Sequence, residues 1–251
     1  MDLQLSGRKA LVTGASSGIG QGIAVALAAE GVHLAIHARS IAALSETAKL
    51  IAEAGGKAPV LLAADLTDQG QVDRLARQAR TALPGLDILV SNAGGSRPMT
   101  DWTDEEVWDE AFVFNFTASR RLTHALLDDI KASGQGRIMV VTGSLTTRLV
   151  NAASPAKAAL ASWARALSFA IADSGATINC LSPGKIESRQ ILERIHPTED
   201  SRSKVIAESI PIGRFGTPRE FGFIAACLAS PRASYVNGAT IPIDAGMARL
   251  A

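Results

Sequence analysis

Short apolar runs recur along the chain at residues 10–13, 32–36, 60–63, 88–91, 137–142, 177–181 and 240–243. Between them stand longer stretches whose apolar residues fall three and four apart: Ile19/Ile23/Leu27, Ile41/Leu44/Ala48/Ile51 and Val72/Leu75/Ala79, the last with Arg74, Arg77 and Arg80 largely on the opposite side. The short runs read as buried strands and the spaced stripes as amphipathic helices. Strand and helix patterns in alternation predict successive βαβ units, hence one α/β domain built on a doubly wound parallel sheet of about seven strands.

Local signals refine this pattern. Thr103-Asp-Glu-Glu106 reads as a capping box that opens a long helix, and Leu160/Trp163/Leu167/Ile171 gives a later helix its buried face. Thr217-Pro-Arg-Glu220 begins another, with proline at the first helical position, and Ser154 before Pro155 reads the same way as an N-cap. Residues 185–213 break the alternation: the stretch is polar, interrupted, and bracketed inside by Pro197 and Pro211. It reads as an excursion from the sheet, either a substrate lid or a packed insertion.

Composition narrows the function. The 251 residues suit one large domain, and 25 Lys+Arg against 24 Asp+Glu leave a formal charge of +1. That balance offers no broad attraction to nucleic acid or anionic lipid, so the expected partner is a small-molecule substrate. No apolar run approaches the ~20 residues of a membrane span, and the start lacks a basic region before an apolar core, so a cytoplasmic location is expected. The two cysteines, Cys180 and Cys227, match no metal spacing and read as core thiols.

The chemistry begins at Thr13-Gly-Ala-Ser-Ser-Gly-Ile-Gly20, placed directly between the first strand and first helix. Glycines there permit a tight turn and close backbone approach, while a helix N-terminus offers open N–H groups to a pyrophosphate. The spacing is Gly-x-x-x-Gly-x-Gly. Further on come Ala64-Asp-Leu66, Asn92-Ala-Gly94, Phe114-Asn-Phe116, Val140-Val-Thr-Gly-Ser144, Pro155-Ala-Lys157, Asn179-Cys-Leu-Ser-Pro-Gly184 and Ile243-Asp-Ala-Gly246. In this order, across essentially the whole chain, these segments resemble the short-chain dehydrogenase/reductase family, whose members bind NAD or NADP on a single Rossmann-like domain.

The resemblance implies a role for each segment. Gly14, Ser16, Ser17, Gly18, Ile19 and Gly20 would hold the cofactor phosphates; Asp65 and Leu66 would contact adenine; Asn92, Ala93 and Gly94 would form the turn beside the cofactor. Asn115 and Ser144 match the active-site asparagine and serine, and Lys157 the lysine that binds the nicotinamide ribose. Pro183, Gly184 and Ile186 fall at the nicotinamide end. Family members are commonly homotetramers or homodimers built across two long helices, on which Phe112, Phe116, Trp163 and Phe169 stand here.

The end of the second strand bears on which nicotinamide cofactor is used. It reads His37-Ala38-Arg39-Ser40, with no carboxylate to hold both ribose hydroxyls and repel a 2′-phosphate. The planar guanidinium of Arg39, with hydroxyls on Ser16, Ser17 and Ser40, favours NADP over NAD.

One family feature is missing. Four residues before Lys157, where the family carries the tyrosine that exchanges the substrate's hydroxyl proton, stands Ala153, and a methyl group cannot transfer a proton. The chain's single tyrosine, Tyr235, precedes the last strand in a stretch that reads as a structural turn. Three readings stay open: an NADP-dependent oxidoreductase with a different acid, a nucleotide-binding member with little or no redox turnover, or an engineered tyrosine-to-alanine variant. Arg97 and Arg148 are candidate contacts for an anionic substrate.

Overall fold

The computed structural model describes residues 2–143 and 150–248, apart from the side chains of Gln190 and Arg194. Strand β1 (Lys9–Thr13) lies inside the sheet, flanked by β2 (His33–Ala38) and the central strand β4 (Ile88–Ser91). β3 (Val60–Ala63) closes one edge, and β5 (Arg137–Val141), β6 (Thr177–Pro183) and β7 (Thr240–Ile243) extend the other, giving the order β3-β2-β1-β4-β5-β6-β7. All six pairings are parallel.

Alternate side chains of each strand enter different layers. Ala10 and Val12 of β1 join Met139 and Val141 of β5 beneath α1 (Gly18–Ala29), α2 (Ser45–Glu53) and α8 (Pro218–Ala229). Leu11 joins Ile138 and Val140 under α3 (Gln69–Ala82), α5 (Ala118–Ala132) and α6 (Ala153–Ile171) on the opposite face. Both faces are covered, which is why the strands read as continuous apolar runs.

Two strands run further than their apolar patterns. β2 continues through His37 and Ala38 because both pair with β3, and β6 continues to Pro183 because Ser182 and Pro183 pair with Pro242 and Ile243. Pro242 and Pro183 are tolerated where a parallel strand pair runs along the sheet's edge.

The helix starts correct two expectations. The cap of α4 (Glu105–Phe112) is Asp104, whose carboxylate accepts from the N–H groups of Glu106 and Val107 at 3.1 and 3.2 Å. Thr103 instead donates its hydroxyl to Asp101 at 2.7 Å. Ser154 does not cap α6: the helix begins one residue earlier, and Asn151 Oδ1 accepts from Ala153 N at 3.0 Å. An asparagine two residues before the first turn reaches its open N–H as well as a serine cap would. At α8 the expected box holds, with Thr217 and Glu220 bonded reciprocally and Pro218 at the first position.

The long helix opened by Asp104 is not uniform. Between α4 and α5 the turn Val113–Thr117 widens to π geometry, and Asn115 sits buried within it. Such a one-residue bulge re-aims side chains, and here it turns an asparagine toward the sheet. Among the described residues no helix is long and apolar enough to cross a membrane.

Candidate functional site

The carboxyl ends of the parallel strands open onto one cavity of about 1300 Å³. Gly14, Ser16, Ser17, Gly18, Ile19 and Gly20 form its floor after β1. Gly14 and Gly18 adopt φ of +64° and +57°, the left-handed region that glycine enters without strain. A Cβ at Gly20 would collide with the Gly14 carbonyl, so the turn closes only without side chains. Ser17 precedes α1 in extended conformation and makes no side-chain cap bond, leaving the first N–H groups of the helix open to an anion.

The turn after β4 is locked to this floor. Thr13 Oγ1 donates to Val90 O and accepts from the N–H groups of Asn92 and Ala93 at 3.0 and 3.1 Å, while Asn92 Nδ2 donates to the carbonyls of Thr13 and Gly14. Asn92 is thereby a brace whose amide is fully engaged, and Ala93 and Gly94 line the cavity beside it.

At the end of β2, Ala38 and Arg39 line the cavity opposite Asp65 and Leu66. Asp65 Oδ1 accepts from the N–H and hydroxyl of Thr67 at 2.9 and 2.7 Å, and these bonds, with the nearby Arg39 charge, hold its carboxyl below the usual range. Asp65 therefore stays ionised and shapes its own turn. His37, buried at the same corner, bonds Ala64 O through Nε2; its Nδ1 has no partner and burial lowers its pKa.

Across the cavity stands Lys157 on α6, one turn beyond Ala153. Its Nζ donates to the carbonyls of Val141 and Thr142 at 3.1 and 3.0 Å, and burial without an ion pair lowers its pKa to about 8. An ammonium carries three donors, so among the described residues two are engaged and one is open. Asn115 Nδ2 donates to Ala111 O and its Oδ1 accepts from Gly95 N at 2.9 Å. A Cβ placed on Gly94 would lie 2.9 Å from that oxygen and 3.3 Å from Lys157 Nζ, so Asn115, Gly94 and Lys157 form one cluster. Ala153 is buried and lines the cavity at the same end.

Pro183 and Gly184 line the cavity, whereas the Ile186 side chain is buried in the core and its segment bridges to Gly216. Ser144, Thr146, Thr147 and Arg148 lie outside the described residues. Arg97 does not line the cavity: it pairs with Glu110 at 2.7 Å and lies 5.2 Å over the Phe114 ring. Tyr235 is fully solvent-exposed and also absent from the wall. Cys180 is buried, which pushes its thiol up to about 11, and Cys227 is half-buried.

Sequence reasoning passed over several wall residues. Ser188 packs beside Gly18, Ser182 donates to Gly143 O at 3.1 Å, and Lys185 and Ser96 line the cavity. Their signal was position: Ser182, Lys185 and Ser188 surround the Pro183-Gly184 turn.

The geometry fits a dinucleotide phosphorylated on its adenosine ribose: a side-chain-free cradle for pyrophosphate, an uncapped helix end, and at β2 a guanidinium with alanine where a carboxylate would repel the phosphate. A family model described as Enoyl-(Acyl carrier protein) reductase matches residues 14–248. Nodulation protein G of Rhizobium sp. (strain N33) is 36% identical over 98% of this chain and 99% of its own length. The 3-oxoacyl-[acyl-carrier-protein] reductase FabG of Vibrio cholerae is 32% identical over 98% of this chain and 99% of its own. Among solved structures, L-sorbose reductase from Gluconobacter frateurii, complexed with NADPH and L-sorbose, superposes with a TM-score of 0.92 at 29% identity, covering 100% of both chains. Sheet order, glycine floor and these full-length matches agree: the chain belongs to the short-chain dehydrogenase/reductase family.

Proposed function

We propose that the protein is an NADP-dependent oxidoreductase that interconverts a carbonyl and an alcohol without a tyrosine acid. The observation that carries this reading is the pairing of Ala153 with Lys157: an alanine on the cavity wall one turn before a buried ammonium whose pKa is about 8. NADPH, when bound, supplies the hydride. Gly14 to Gly20 and the open end of α1 hold the pyrophosphate, and Arg39 holds the 2′-phosphate.

Reduction leaves an alkoxide that needs a proton. Lys157 has one uncommitted N–H, and a water beside Ala153 fills the place of a phenol and passes that proton on. Asn115, fixed by Ala111 and Gly95, keeps the cluster in register. Ser144, by family resemblance, orients the substrate oxygen. The protonated lysine is the donor, so reduction should fall by about tenfold per pH unit once pH rises above the Lys157 pKa. A rate flat to the alkaline side would remove Lys157 from the step.

Restoring the missing side chain is the direct test. With a panel of ketones, aldehydes and imines, Ala153→Tyr should raise the turnover of NADPH by about 10²-fold or more, read as loss of nicotinamide absorbance. Tight NADPH binding without turnover in either protein would instead support a nucleotide-binding role, which Ala153 also favours.

Two further parts belong to the same reading. Residues 185–213 act as a lid, since α7 (Glu199–Ser209) contains no buried residue yet contributes Val205 and Ile206 to the wall. A second copy packs across α5 and α6, where Phe169 is 74% exposed, giving a homodimer or homotetramer. A light-scattering mass of one chain would overturn the assembly.

A further inference from the structure

Lys185 follows the Pro183-Gly184 turn at the end of β6, and its side chain lines the cavity at the root of the lid. It takes part in none of the ion pairs among the described residues, and its ammonium makes no hydrogen bond there. Nearby carboxylates are otherwise occupied or distant from it. Asp244 accepts from Gly246 N and Ala248 N, Glu187 is exposed and near Arg214, and Glu208 is exposed on α7. His196 follows the wall residue Ile195 but is not itself in the wall; its ring stacks loosely on Phe215 at 6.1 Å.

A half-buried cation with no counter-charge is costly unless something completes it. Burial lowers the pKa of Lys185, as expected of an ammonium taken from water without a counter-charge. An anion seated in the cavity against Lys185 would satisfy the ammonium.

We propose that Lys185 is the specificity subsite of this cavity, and that the substrate is a carbonyl compound carrying a carboxylate or phosphate. The inference rests on the oxidoreductase reading above and adds its substrate class. Of the two arginines that the sequence puts forward, Arg97 is committed to Glu110 and Arg148 lies outside the described residues.

The test compares oxo acids with their methyl esters, and phosphorylated ketones with their free alcohols, in wild type and Lys185→Met, with folding checked by thermal denaturation. The charged member of one pair should be preferred in kcat/KM by about tenfold or more, the worth of a charge-assisted hydrogen bond, and the pair that responds names the anion. In Lys185→Met that ratio should collapse. Equal rates for charged and uncharged members in wild type would overturn the subsite. So would a Lys185→Met protein that loses NADPH affinity and slows both members alike, since the lysine would then serve the cofactor.

If no compound is turned over, the oxidoreductase reading has failed, and calorimetry decides the subsite. Hydroxy acids and their esters, and phosphorylated alcohols and their free forms, are titrated into the wild-type and Lys185→Met complexes with NADP. Tighter binding of a charged ligand that Lys185→Met abolishes supports the site; equal affinities overturn it.

Discussion

The two ends of the cavity are built on opposite principles. The floor after β1 is closed by backbone against backbone, Gly20 against the Gly14 carbonyl and Gly14 against Ala93, and behind it Gly22 of α1 meets the Pro218 carbonyl of α8, with no room for a methyl group. The wall formed by residues 185–213 is side-chain work, with an α7 that buries nothing and a lysine that meets no partner. A ligand that never changes can be recognised by main-chain atoms, whose positions substitution does not alter. A ligand that differs between relatives must be read by side chains on a loosely held segment.

The largest effect should come from filling the closed end. Gly22→Ala gains about 1 kcal/mol of helix propensity but forces α1 and α8 apart at about 3 kcal/mol, a net loss of about 2 kcal/mol. At about 2–4 °C per kcal/mol, a melting scan should show a drop of roughly 4–8 °C. An unchanged melting temperature would mean the two helices are not held as tightly as the contact implies. Next in size, Arg39→Ala should weaken NADPH by about tenfold or more and leave NADH little changed, measured by fluorescence titration. Equal losses for both would take the guanidinium off the 2′-phosphate. The smallest effect concerns the open end: limited proteolysis should cut within 199–209 first and be slowed by NADPH with substrate. Cleavage elsewhere, or at a ligand-independent rate, would make that segment a packed insertion.

The same contrast explains what could be read in the sequence. β3, β4 and β7 begin and end where their apolar runs do, and in β4, buried at every position, burial on both faces writes itself as uninterrupted hydrophobicity. The glycine floor was equally legible, since a turn that admits no Cβ leaves glycine in the text. Long-range partners were not. Thr103 carries the right letters for a cap, but Asp104 is one residue nearer the open N–H groups. Arg97 looked available until Glu110, thirteen residues on, met it across a turn. The π turn at Asn115 is a slip in helical phase, which a stripe of apolar positions cannot reveal. Lys185 passed unnoticed because a charge matters there only for what fails to surround it.

The strap that leads into α6 has a consequence for redesign. Asn151 accepts from Arg97 N and Ala153 N and donates to Ser96 Oγ at 2.6 Å, while Ala152 N donates to Arg97 O and Pro98 bridges to Asn151. The backbone under residue 153 is therefore a fixed mount, set by atoms that do not depend on which side chain it bears. Grafting a new acid, base or nucleophile at that address changes the reagent and leaves its coordinates alone, so a series of variants at 153 would compare chemistries on one scaffold.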